Sequence, residues 1–183
     1  MKILQSKLIA SVICGGVELL EEHVKLRGRV RVQEWPAEKY PTYESILKAR
    51  GRGDKPLREY AVNNLIVTAG KNHIADVLIA AGGVQADVQY CGVGSGSTPP
   101  AAGDTDLETP VGSREAYSDR FRTNNIATFS FFYGANDNNG TWNECGLFWL
   151  TTGGDMLARA LFSPAVNKTA SVTEVVEWDI TVG

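Results

Sequence analysis

Only two histidines and three cysteines occur among the 183 residues. His23 and His73 are the side chains whose ordinary titration falls near neutral pH, and neither stands in a motif with a serine or cysteine nucleophile. Cys14, Cys91 and Cys145 are odd in number, far apart and without CxxC or Cys/His spacing, which excludes a disulfide framework and a zinc site of standard pattern. Buried thiols in a chain made in a reducing cytoplasm are expected. No run of about 18 apolar residues is present, so no membrane helix is encoded and no membrane partner is expected. The N-terminal apolar stretch is interrupted by Gln5, Ser6 and Lys7, which reads as an edge strand in place of a signal peptide.

Cofactor motifs are equally scarce. Gly92–Thr98 is glycine-rich, but a phosphate loop needs Gly-Lys-Ser/Thr opening a helix, and Pro99-Pro100 follow here. Asn136–Thr141 has the flavour of a calcium loop. With Gly140 on the invariant glycine, however, Ala135 and Gly146 fall where the first ligand and the bidentate Glu belong. A hairpin turn is expected there, with a weak divalent site near Asp137 as the alternative. Asp104, Asp106 and Glu108 form a short acidic run with no partner base beside it. No catalytic, cofactor-binding or metal-binding residue is assigned, and the chain is expected not to be an enzyme. A glycan hydrolase, needing only two carboxylates, is the enzymatic alternative.

What the chain does have is turn chemistry between strand-like segments, with 19 glycines. Strands are expected at Leu57–Thr68, Val88–Val93, Gly112–Phe121, Ile126–Tyr133, Trp142–Leu150, Met156–Phe162 and Val172–Val182. The last alternates cleanly, with Val172, Val176, Trp178, Ile180 and Val182 on one face and Glu174 breaking that face near its start. One amphipathic helix is expected after Thr68, a candidate N-cap, carrying a stripe of Ile74, Val77, Leu78 and Ala81 and stopping at Gly82-Gly83. The fold class is mainly β: a β-sandwich or jelly-roll-like domain over residues 57–183. Residues 1–56 read as N-terminal strand and extended basic arm.

Charge separates these two parts. Residues 1–58 carry a net of +5 and residues 59–183 a net of −8. From Val24 to Val32 cations alternate with apolar residues, which puts Lys25, Arg27, Arg29 and Arg31 on one face of a strand. A solvated edge strand guarded by charge explains the row, and a partner contact is the alternative. From Trp35 to Pro56 a long connection follows, with a helical turn around Tyr43–Ala49 and the cations Lys48, Arg50, Arg52 and Lys55. Arg27, Arg29, Arg31, Lys48, Arg50 and Arg52 are the candidate partner-binding residues. The acidic balance of the whole argues against nucleic acid, and Arg52-Gly53-Asp54 is too short a match to indicate adhesion. Deleting residues 1–56 is expected to leave a folded core that no longer assembles. Glu144 and Arg159 stand inside apolar strands, so each is expected to be buried, with Glu144 neutralised by an arginine or by backbone N–H groups.

The order Val67–Gly70, Ile74–Asp76, Gly92–Gly96 with Pro99, Asp104–Leu107, Arg114, Asn125–Phe129, Asn139–Glu144, Gly146–Phe148 and Met156–Arg159, then Pro164 and Lys168, resembles a β-rich module of tailed-bacteriophage virion proteins, of the tail and tail-fibre kind. The resemblance covers residues 57–183. It implies a non-enzymatic virion component made in the host cytoplasm and contacting other virion proteins. It also implies a homo-oligomer, with a trimer favoured. Fibre proteins continue past such a module, whereas the last strand here ends one residue before Gly183. That points to assembly or attachment at the tail as a fibre base, collar or adaptor. A capsid decoration protein that stabilises the head shell is the second reading. A carbohydrate- or receptor-binding module for a host-surface glycan is the third, and exposed Trp142 or Trp149 would favour it.

Overall fold

The computed structural model describes residues 25–79, 83 and 85–183. Over these described residues the protein is mainly β, with two five-stranded antiparallel sheets packed face to face and two helices. The first sheet has the order β2-β1-β10-β7-β6, built from β1 (Leu26–Pro36), β2 (Arg58–Asn63), β6 (Asp119–Thr123), β7 (Ile126–Tyr133) and β10 (Val172–Val182). The second has the order β3-β9-β8-β4-β5, from β3 (Leu65–Ile66), β4 (Tyr90–Gly94), β5 (Pro110–Ala116), β8 (Gly140–Phe148) and β9 (Met156–Lys168). Helix α1 spans Tyr43–Arg52 and α2 spans Thr68–Leu78.

Alternation explains the central layer. Val30 and Val32 of β1 face inward beside their partners Trp178 and Val176 of β10. Phe131 and Tyr133 of β7 join them against Trp142, Cys145 and Leu147 of β8. Fully burying one side chain of this size contributes about 1.5–3 kcal/mol, so this layer outweighs any surface ion pair in the molecule. Three of its polar groups are paired: Tyr133 Oη donates to the Cys91 carbonyl at 2.9 Å, Trp142 Nε1 to the Asn138 carbonyl at 2.8 Å, and Trp178 Nε1 to Cys91 Sγ at 3.3 Å.

The cationic strand is not an edge. β1 pairs with β10 along its whole length and with β2 on its other side, because Val30, Val32 and Glu34 face the interior while the cations face outward. Residues 26–56 are thus built into the sandwich and are not an extended arm, so the expected boundary at residue 56 gives way. The helical turn is a full helix, α1. Thr42 accepts from the Ser45 amide while the Ser45 hydroxyl accepts from the Thr42 amide, closing a capping box, and Gly53 ends the helix at φ 84°. Ile46 and Ala49 of α1 cover Trp35, Tyr40 and Val175 on the outer face of the first sheet.

Two expected strands divide. Leu57–Thr68 becomes β2 in one sheet and β3 in the other, and Gly112–Phe121 becomes β5 and β6, again in different sheets. Thr68 makes no side-chain cap: it is the first helical residue, and Val67 stands at the cap position. The buried face of α2 is Gly70 and His73, with Ile74 and Val77 half-buried and Leu78 81% exposed. Gly70 sets that rotation, since a Cβ there would lie 2.5 Å from the Leu157 carbonyl oxygen. Ala81 and Gly82 of the expected stripe and stop, and Cys14, His23, Val24 and the expected N-terminal edge strand, lie outside the described residues.

Candidate functional site

Two outer faces carry the polar residues singled out by sequence. On the first sheet, Arg27, Arg29 and Arg31 project outward from β1, and Lys48, Arg50 and Arg52 from α1 beside them. Most are already engaged. Arg31 Nη2 lies 3.3 Å from Asp179 and 3.5 Å from Glu177, and Arg50 Nη1 donates to Glu177 at 2.8 Å. Arg50 also donates to the Gln33 side chain. Arg52 pairs with Asp54 at 2.8 Å across the Gly53 helix end, so the Arg-Gly-Asp triplet is a helix terminus. Lys48 meets Glu44 at 3.8 Å one helical turn away, both well exposed, a pair that contributes only a few tenths of a kcal/mol. Arg27 and Arg29 are exposed and have no acidic partner within 4 Å among the described residues. The six therefore separate into four with an acidic partner and two without one among the described residues.

The second face is a locked loop. Glu144 of β8 is fully buried and accepts from the amides of Gly96 at 3.1 Å, Glu108 at 3.2 Å and Thr109 at 2.9 Å. Arg159 of β9 donates its Nε to the same carboxylate at 2.8 Å, with Nη1 on Asp104 at 2.8 Å and Nη2 on the Thr98 carbonyl at 3.2 Å. Asp104 thus has a cationic partner 55 residues away, and Asp106 has one in Arg114 at 3.0 Å, although neither pairing is visible in sequence. Burial would raise the Asp104 carboxyl, but the Ala101 amide and the Arg159 guanidinium hold it below its ordinary value. The amide and hydroxyl of Thr98 hold Glu108 down likewise.

This geometry gives the glycine-rich loop its meaning. A Cβ on Gly94 would stand 2.5 Å from Glu144 Oε1, and one on Gly96 would collide with the same atom. The loop wraps an anion, but the anion is the protein's own carboxylate. Arg114 completes the face, stacking 3.5 Å over Phe148 and donating to the Leu150 and Gly153 carbonyls at 2.8 Å each. The neighbouring cleft of about 330 Å³ has this arginine, already engaged by two carbonyls and a carboxylate, and Asp106 as its charged lining.

Other sequence candidates are also spent on the fold. His73 stacks 3.7 Å over Trp149, with Nδ1 3.0 Å from Asp155 and Nε2 2.8 Å from the Gln85 carbonyl. Asp137 accepts from the Gly134 amide at 2.7 Å and so caps its own turn. The cation in that turn is Lys168, whose Nζ donates to the Ala135 carbonyl at 3.3 Å and to Asn139 Oδ1 at 3.1 Å. An ammonium therefore sits on Asn139 Oδ1, one of the oxygens that the alternative divalent site near Asp137 would use. Trp142 and Trp149 are both buried, as are Trp35 and Trp178, so none offers a ring for a sugar to stack on.

No protein-family model, curated protein or solved structure matches this chain. The functional reading accordingly rests on the residues and their geometry. Sequence reasoning missed the acidic partners of the cations, Glu177 and Asp179, because they lie about 150 residues away and meet Arg31 only through strand pairing.

Proposed function

We propose that this protein is a non-enzymatic structural component of a tailed-phage virion, acting in assembly or attachment at the tail as a fibre base, collar or adaptor. The observation that carries this reading is the locked loop. Motif residues that resemble the phage module, from Gly92–Gly96 through Asp104 and Arg114 to Glu144 and Arg159, are spent on holding backbone to backbone. A module built to be rigid, with its carboxylates and arginines turned on one another, suits load-bearing contact better than chemistry. Its partner contacts are other virion proteins, and of the six candidate cations Arg27 and Arg29 are the two without an acidic partner among the described residues. A homo-oligomer, with three copies favoured, belongs to the same proposal.

A capsid decoration role is the competing location. The glycan-binding alternative loses its platform with Trp142 and Trp149 inside the core. Copy number in purified particles, from gel densitometry against the major capsid protein, separates the readings. A handful of copies per particle is the expected result and places the protein at the tail. Near-stoichiometric abundance would move it to the capsid, and absence from every particle would overturn the virion reading.

A further inference from the structure

One rung of the first sheet breaks the rule that buried charge is paired. Glu34 of β1 is register partner to Glu174 of β10 on one side and to Arg58 of β2 on the other. Both carboxylates face the interior of the sandwich, Glu34 at 6% exposure and Glu174 at 0%. Directly opposed side chains in an antiparallel pair stand about 4.5–5.5 Å apart at Cβ, so the two acids are neighbours. Neither oxygen of Glu174 has a hydrogen-bond partner among the described residues. The cations nearby are committed elsewhere. Lys168 spends its three donors on Ala135, Asn139 and Thr169, and Arg58 lies 3.7 Å from Glu34 with its side chain mostly exposed. From β7, Tyr133 is the register partner of Glu174, but its hydroxyl is given to the Cys91 carbonyl.

We propose that Glu174 is a proton-operated catch: neutral, it lets β1 and β10 close over this end of the sandwich, and ionised, it loosens that end. Two ionised carboxylates on one buried rung, without a contacting cation for Glu174 among the described residues, repel across the pair that joins the strands. Beside the rung, β2 and β9 border a groove of about 640 Å³ lined by Arg58, Tyr60 and Pro164, which is where the loosened end would widen. The proton leaves to water and nothing else is transferred.

Burial first, and the Glu34 charge second, push Glu174 from its ordinary 4.5 up to about 8, while Lys168 and Arg58 pull it down. A carboxyl raised in the fold binds its proton more tightly there than in the unfolded chain. Its contribution to stability is therefore complete below pH 4.5, is lost as pH rises toward about 8, and changes no further above that.

The test is a carbon-13 NMR titration of the glutamate carboxyls in the full chain, alongside pH-dependent urea unfolding and hydrogen exchange. One carboxyl should titrate near pH 8 in the wild type and be missing in Glu174→Gln. Relative to that variant, the wild-type folding constant should fall by about tenfold per pH unit between pH 5 and 8. At pH 9, β1 and β10 segments around Glu34 and Glu174 should exchange several-fold faster in the wild type than in Glu174→Gln. Should Glu174→Gln not fold, Glu34→Gln supplies the second reading, since removing that charge should lower the Glu174 midpoint. A Glu174 signal titrating in the ordinary carboxylate range, parallel stability curves, equal exchange, or a midpoint unmoved by Glu34→Gln would each overturn the proposal.

Discussion

Arg159 is the side chain on which most of the second face depends, because its guanidinium meets a buried carboxylate, a half-buried one and a carbonyl from three directions. Replacing it by Met leaves Glu144 buried with backbone amides only and Asp104 without its cation. Arg159→Met is expected to cost about 3–5 kcal/mol in urea unfolding. Arg159→Lys should recover little of this, since one ammonium cannot span the three acceptors that a planar fork reaches. Replacing Glu144 by Leu as well should not restore stability either. Its loss orphans the amides of Gly96, Glu108 and Thr109, each worth about 1–3 kcal/mol when buried unpaired. A double variant close to the wild type would show that the pair is dispensable and the loop held by other means.

Among the elements, α1 owes its position to both ends. Thr42→Ala removes the capping box, and Gly53→Ala places a Cβ where φ is 84°. Each is expected to lower stability by about 1 kcal/mol, read from the shift of the urea midpoint. The same element shows what sequence conveys and what it hides. β7 and β10 have the bounds that alternation predicts, because one face of each is apolar but for Glu174 near the start of β10. In sequence helix α1 resembles a single turn, because Gly51, Gly53 and flanking prolines mask a helix whose cap is Thr-x-x-Ser. The α2 stripe failed for another reason: Gly70 must touch the β9 backbone, and close approach outranks the apolar period. The cationic row of β1 looked like an edge because Glu177 and Asp179 belong to the far end of the chain. Burial of Glu144 and Arg159 was readable from the apolar residues around them, but the identity of their partners was not.

At the scale of the whole molecule, β1 is the strand that joins β2 to the rest of the first sheet. Removing residues 1–56 takes Val30 and Val32 from the central core, and Trp35 together with α1 and its Ile46 and Ala49 from the outer face of the first sheet. The truncated chain is expected to lose cooperative unfolding and most of its β circular dichroism, because β10 would be left with an exposed edge and an open core. A folded truncated protein would mean that β2 and β10 can close the gap themselves.

The strand pair that begins and ends the described fold has one more property. Leu26 stands opposite Val182, and the Gly183 amide donates to the Lys25 carbonyl at 2.9 Å. Tension applied to these two points acts across the ladder and not along it. Each rung would bear the load in turn, as teeth in an opening zip, beginning at Lys25 and travelling toward Pro36. The sandwich would yield at low force along this axis while resisting a pull directed along its strands. Mechanical weakness is thereby directional, fixed by where the two strands enter and leave the sheet.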